Sequence, residues 1–347
     1  MRECRYISWK GQAWRSARWM LSRQVRRRSV QAAQPRMQTP TSVGEQPSAK
    51  VIDGKRIAKT VREEVAVEVR ELKEKHGVTP GLAVIMVGTR SDSMRYVENK
   101  RKACKEVGIH SYLLPLQELF PQDRLLELIE DLNRQPQIHG ILVQLPLPER
   151  LDTGRILESI RVEKDVDGFH PMNMGRFCLR NPTRPPLSIS CTPLGCLELL
   201  DRHQVPLSGK RAVVLGRSNV VGLPMAMLLM ARDATVTICH SKTEQLAERV
   251  READIVVAAM GQPELVKGDW IKPGAVVIDV GMNTVMDRDA RHGVRLAGDV
   301  EYAAAKERAS LITPVPGGVG PMTVAMLLRN TVRATRRAVE GGEKSPS

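Results

Sequence analysis

The sequence predicts an α/β protein, a parallel sheet covered by helices, on three observations. The 347-residue chain is 42% apolar, enough to bury a full core in one large or two medium domains. Aromatic side chains make up only 3%, while 26 glycines accompany frequent Val, Ile, Leu and Ala, which suits buried parallel strands better than an aromatic-rich sandwich or a base-stacking surface. Short apolar runs recur along the chain with helix-length or shorter intervals between them.

The elements follow in order. Val51-Ile52-Asp53-Gly54-Lys55 precedes a charged segment whose apolar residues Ile57, Val61, Val65, Val67, Val69 and Leu72 recur at roughly helical spacing, which predicts a helix. Gly81 to Gly88 and Gly140 to Pro146 read as strands, with helix-like sequence between them. Lys210 to Gly216, Ala234 to Cys239, Ile255 to Ala259 and Ala275 to Asp279 read as buried parallel strands, so the second half is a Rossmann-like unit. A final amphipathic helix is predicted from about Met322 to Val339, and no repeat of fixed period is evident.

A formal charge of +14 suggests nucleic acid until its location is considered. Residues 1–49 hold ten Arg or Lys against Glu3 and Glu45, a net +8, leaving +6 for the other 298 residues. Trp9, Trp14 and Trp19 lie in the same stretch, which has no apolar run long enough for a secretory core or a membrane span. An Arg-rich, acid-poor segment of amphipathic potential is expected to be a mitochondrial transit peptide, with plastid import as the alternative and an unaddressed basic tail as the plain reading. Its last part, Pro35 to Ala49, is Ser-, Thr-, Gln- and Pro-rich and reads as a linker. Neither a nucleic-acid nor a membrane partner is expected. The six cysteines (Cys4, Cys104, Cys178, Cys191, Cys196, Cys239) form no CxxC pair, so reduced packing thiols and no metal site are expected.

Five constellations carry chemistry. Leu215-Gly216-Arg217-Ser218-Asn219-Val220-Val221-Gly222 follows a strand and opens a helix, where backbone amides meet phosphate, although five residues separate the glycines and the common GxGxxG spacing is absent. The second strand of this unit ends Cys239-His240-Ser241-Lys242, with no acid to accept a ribose hydroxyl; Arg217, Ser218 and Ser241 suit a 2′-phosphate, favouring NADP over NAD. Tyr96 and Lys100 stand four apart, on one helical face, after a strand and a polar loop. Gln144 sits in an apolar strand and needs a partner, for which a backbone group would serve; Asp165 and Asp167 in Lys164-Asp165-Val166-Asp167-Gly168 read equally as a turn with an Asx cap, and His170 reads as structural. Pro314-Val315-Pro316-Gly317-Gly318-Val319-Gly320-Pro321 is a constrained loop, suited to a ligand wall or a hinge.

Taken together, Tyr96-x-x-x-Lys100, Val143-Gln144-Leu145-Pro146-Leu147-Pro148, the Asp167 segment, Gly216-Arg217-Ser218 and Pro314 to Thr323 resemble the bifunctional methylenetetrahydrofolate dehydrogenase/cyclohydrolase (FolD) family, in the family's order, from about Lys50 to Val339. The resemblance implies two α/β domains flanking a cleft: residues 50–193 binding folate, 194–321 binding NADP, and a closing helix over 322–340 returning to the first domain. It further implies a homodimer formed through the nucleotide-binding domains. By that likeness Tyr96 stacks on the folate, Lys100 is the catalytic amine, Gln144 hydrogen-bonds and tunes it, and Asp167 anchors the pterin. Pro316, Gly317 and Gly318 belong to the substrate wall, and Gly216, Arg217, Ser218, Ser241 and Met282 match NADP-contacting positions. Met282 departs from the Ile of many relatives, a tolerable apolar exchange. Ser241 stands where mitochondrial NAD-using relatives carry Arg, which again favours NADP. A dehydrogenase without hydrolase activity and a noncatalytic nucleic-acid binder are the rival readings.

Overall fold

The computed structural model describes residues 48–180, 183–288 and 293–341, so nearly all of the expected transit segment lies outside the described residues. In the first half, β1 (Lys50–Val51) leads to α1 (Gly54–His76), β2 (Gly81–Val87), α2 (Ser91–Val107), β3 (His110–Leu116), α3 (Gln122–Arg134), β4 (Gly140–Val143), α4 (Thr153–Glu158), α5 (Pro171–Leu179) and α6 (Cys191–Arg202). The second half runs β5 (Arg211–Leu215), α7 (Gly222–Met230), β6 (Thr235–Cys239), α8 (Leu246–Arg251), β7 (Ile255–Ala258), β8 (Val276–Asp279), β9 (Asn283–Met286), β10 (Val294–Ala297), α9 (Tyr302–Lys306), β11 (Leu311–Ile312) and α10 (Val319–Glu340).

Helix α1 forms where its capping and periodicity agree. The Asp53 side chain accepts the Arg56 amide at 3.0 Å, satisfying one of the free N–H groups of the first turn, and Gly77 closes the last turn in the left-handed region. Ile57, Val61, Val65, Val69 and Leu72 are buried as the spacing requires, whereas Val67 falls off that stripe and is exposed.

Two parallel sheets result. The smaller has the order β3-β2-β4; the larger has the order β1-β11-β8-β7-β5-β6. The interval between β2 and β4, expected to be helical throughout, also contains β3, whose mixed exposure, Pro115 and edge position hide the strand pattern. A second difference is the antiparallel β9–β10 pair, short and partly exposed, which carries no continuous apolar run. Strand β1 pairs with β11 of the larger sheet, so the first described residues join the nucleotide half before the chain crosses to the other half. The 193/194 position falls inside α6.

The closing helix begins three residues before the expected Met322. It packs on α1, α6 and α2, and its Met322, Ala325, Met326, Leu328 and Val332 enter a core shared by both halves of the chain. Arg329 bridges Glu198 and Glu64 at 3.0 Å each, and Arg202 reaches the same two carboxylates, which ties α10, α6 and α1 at one crossing. Asn330, 2% exposed, donates to the carbonyls of Val166 (2.9 Å) and Ile189 (3.0 Å), anchoring the two turns on either side of Asp167 and Cys191.

Asn330→Ala leaves the Ile189 carbonyl without that donor and the Val166 carbonyl with only the weak Cys191 thiol. The expected destabilisation is about 1–3 kcal/mol, from the usual penalty of an orphaned buried acceptor, read as a lower urea midpoint with an unchanged slope; a wild-type midpoint would show that Asn330 carries no such load.

Candidate active site

The carboxyl ends of β2 and β4 in the smaller sheet, and of β5 and β8 in the larger, lead into the loops that carry the candidate residues, the side on which open α/β sheets take ligands. On the smaller sheet, the loop after β2 feeds α2, whose helical period puts Tyr96 and Lys100 one turn apart. Lys100 is 8% exposed, and its Nζ donates to Gln144 Oε1 at 2.9 Å. Gln144 follows β4: its backbone amide donates to Ile85 O (2.8 Å), and its Nε2 donates to Leu145 O (2.7 Å). The half-buried Gln144 side chain thus meets both a backbone carbonyl and the Lys100 amine.

The two aspartates divide the labour that the sequence leaves open. Asp165 is the turn residue: its Oδ1 accepts the amides of Gly168 and Phe169, and its Oδ2 accepts the His170 amide and Asn173 Nδ2. Asp167 is released to face Lys100 and Cys191. Burial pushes the Asp167 carboxyl up to about 6; the Lys100 ammonium opposes that rise and the Asp165 charge adds to it. The Cys191 thiol, 3.4 Å from Val166 O and 3.6 Å from Asp167 Oδ1, is held well above its ordinary value by burial. His170 caps α5 by accepting the Met172 amide at Nδ1, a structural role.

On the larger sheet, Gly216 follows β5 with φ +116°, and a Cβ at Gly222 would strike the Gly216 carbonyl, so the turn closes tightly at the start of α7. Ser218 Oγ accepts the amides of Val221 (3.2 Å) and Gly222 (3.4 Å), while Arg217 and Ser241 are exposed at the ends of β5 and β6. These residues form a cradle with a cation beside it, consistent with a phosphate-bearing dinucleotide. Met282, after β8, meets Tyr96 across the cleft: the phenol donates to its Sδ at 2.7 Å. The Pro316 loop is seated from below, with Lys55 N donating to Gly317 O at 3.1 Å, and Gly320 lies beside the Met282 methyl.

Two family models match the chain: the catalytic domain of tetrahydrofolate dehydrogenase/cyclohydrolase over residues 52–167 and its NAD(P)-binding domain over 190–339. The chain belongs to this tetrahydrofolate dehydrogenase/cyclohydrolase family. It is 57% identical over 290 residues to bifunctional protein FolD 2 of Arabidopsis thaliana, covering 84% of this chain and 96% of the relative. Arabidopsis FolD 4, chloroplastic, is 55% identical (83% of this chain, 79% of the relative), and FolD 1, mitochondrial, is 52% identical (86% and 84%). The Trypanosoma brucei FolD crystal structure, complexed with NADP cofactor and inhibitor, superposes with a TM-score of 0.81 at 46% identity, covering 85% of this chain and 99% of that one.

Several residues of this family member's cleft escape a sequence reading. Cys191 opens α6, 24 residues from Asp167, and only its place in a Ser-Cys-Thr-Pro helix start marks it. Asp279 and Asp299 are legible only as acids set among glycines, in Asp279-Val280-Gly281 and Gly298-Asp299-Val300. Among the described residues no cluster of three or more His, Cys, Asp or Glu could hold a metal ion, and no helix is long and apolar enough to cross a membrane. Cys104, Cys178, Cys191, Cys196 and Cys239 are free thiols, all buried but Cys178.

Because the folded Asp167 carboxyl titrates above its unfolded value of 3.8, its contribution to stability is complete below about pH 4 and is lost as pH rises through about 6. Asp167→Asn is therefore expected to gain stability over the parent across that window, by about 1–3 kcal/mol above pH 6. Denaturant melts at pH 4, 5, 6 and 7 measure this, and a pH-independent difference would contradict it.

Proposed function

We propose that this chain oxidises 5,10-methylenetetrahydrofolate with NADP and hydrolyses the 5,10-methenyl product to 10-formyltetrahydrofolate. The observation that carries the reading is the hydrogen-bonded pair of buried Lys100 and half-buried Gln144 beside Asp167, set opposite the Gly216 cradle. Both family domains and the bifunctional relatives support it.

The residues divide the work as follows. Tyr96, held at the mouth of the cleft, offers its ring to the flat pterin, and Asp167 accepts hydrogen bonds from pterin N–H groups when ionised, which orients the reacting bridge carbon. Lys100 stands where a proton must be held and moved as the bridge opens and as water adds to the cationic methenyl carbon; Gln144, itself fixed by Leu145 O, holds the amine in place. The Pro316-Gly317-Gly318 loop walls the cleft against bulk water. Gly216, Arg217, Ser218 and Ser241 would hold the dinucleotide, with Met282 toward the pterin. Bound NADP supplies the hydride acceptor.

The chain acts as a homodimer joined through its nucleotide halves: β6 is the edge strand of the larger sheet, its outer side without a strand partner among the described residues and with Thr235, Thr237 and Ile238 exposed. Domain limits of 50–193 with 322–340, and 194–321, follow the two sheets except at β1. The basic 1–49 segment addresses the chain to mitochondria, a reading that one chloroplastic and one mitochondrial relative frame without choosing between. A fluorescent fusion to residues 1–49 that enters plastids instead would overturn the address.

Lys100→Met is expected to abolish the hydrolysis of methenyltetrahydrofolate while the far-ultraviolet dichroism stays native; hydrolysis at the parent rate would remove the amine from the mechanism. Arg217→Ser is expected to raise the KM for NADP about tenfold or more while leaving that for NAD nearly unchanged, since a guanidinium contact to a phosphate is a charge-assisted bond. Equal changes for both dinucleotides would place the 2′-phosphate elsewhere.

A further inference from the structure

Two carboxylates lie beneath the loops that carry Met282, where the carboxyl ends of β7 and β8 meet the 298–301 turn. Asp299 is 0% exposed and Asp279 3% exposed, and neither has a Lys or Arg partner among the described residues. Asp299 Oδ2 accepts the amides of Met260 (2.5 Å) and Gly261 (3.0 Å); its Oδ1 accepts the Gln262 amide and Asn283 Nδ2, both at 2.9 Å. Asp279 Oδ1 accepts the amides of Gly281 and Asp299, and its Oδ2 that of Val300, all at 2.9 Å. A Cβ at Gly281 would strike the Asp299 carboxylate, and one at Gly298 the Asp279 carboxylate, so the glycines let the chain close on both acids.

A buried carboxylate without a cationic partner is expensive, and apolar side chains of like volume would hold a core as well. What they could not do is collect amides from separate loops. Asp299 joins residues 260–262, after β7, to Asn283, after β8, and Asp279 joins Gly281 to the turn that carries Asp299 itself. Burial pushes the Asp279 carboxyl up to about 7 against the amides of Asp299 and Val300. Asp299, which gathers four donors, is the acid on which the two cleft loops converge.

The place of these loops gives the pair its use. A dinucleotide held at the Gly216 turn, with Arg217 and Ser241 on the β6 side for a 2′-phosphate, would have its remaining half toward β7 and β8. There the backbone, rich in Gly and Ala, forms the floor, and its shape is set from underneath. We propose that Asp299, backed by Asp279, is a positioning residue for the dehydrogenase reaction: it fixes the 260–262 loop and the turn from Gly281 into β9 as the floor for the nicotinamide half. This rests on the function proposed above.

The test uses the full chain, measuring NADP affinity directly by titration calorimetry together with both reactions and a thermal melt. In Asp299→Asn a side-chain NH2 must face amide donors, and in Asn283→Ala one of the four donors is removed at the partly exposed end. Expected for Asp299→Asn is an NADP KM and dissociation constant raised about tenfold or more, with the KM for methylenetetrahydrofolate and the dinucleotide-free hydrolysis rate changed by less than about threefold. Asn283→Ala should move the same two NADP quantities in the same direction by a smaller factor, and it decides the matter if Asp299→Asn does not fold. Equal losses in both reactions, or an NADP affinity unchanged in folded Asn283→Ala, would overturn the proposal and leave the acids as core residues. If the parent chain performed neither reaction, the proposed function would fall, while the calorimetric comparison would still report on Asp299.

Discussion

Everything in the cleft depends on how the two sheets are held apart. Neither sheet alone carries a site: the smaller supplies an amine, an amide and an acid, and the larger supplies a glycine turn and a cation. What fixes their separation is α10, which leaves the Pro316 loop at the cleft and runs back along α1 and α6 with its apolar face in a common core. The Arg329 crossing with Glu64 and Glu198 adds direction to that packing, because a guanidinium fork between two carboxylates tolerates little sliding.

Within this frame, polar groups are arranged by backbone more than by other side chains. Asp165 is consumed by a turn so that Asp167 can face inward, and Gln144 is locked by its neighbour's carbonyl before it meets Lys100. Asn330 braces the turns that carry Asp167 and Cys191 from beneath. Such second contacts restrict where Lys100, Gln144 and Asp167 can sit, the kind of positioning that chemistry at a single carbon requires. The Tyr96–Met282 contact then joins the halves over the top of the cleft.

Much of this was legible in the sequence, and the failures have physical causes. Apolar runs marked β2, β4, β5, β7 and β8 because strands covered on both faces need no alternation, and the 3.6-residue period marked α1 and α10. Edge strand β3 was not legible because Pro115 and its mixed exposure break the pattern, and the β9–β10 pair because it carries no continuous apolar run. The Tyr96–Lys100 spacing, Gln144 in an apolar strand and the Gly216 turn could be read from local order alone. Contacts such as Asp299 to Met260, or Tyr96 to Met282 across 186 positions, could not, because no local pattern encodes which loops a fold brings together.

Strand β1 is only two residues long, yet it extends the larger sheet through Lys50 and Val51; the Ile52 amide also reaches the sheet at Ile312 O, and the Ala49 amide is held by Lys306 O at the end of α9. Any truncation of the basic segment that spares this pairing must therefore stop upstream of Ala49. A peptidase cutting a few residues further in would leave β11 with a bare flank of unpaired carbonyls, open to adventitious pairing with another molecule.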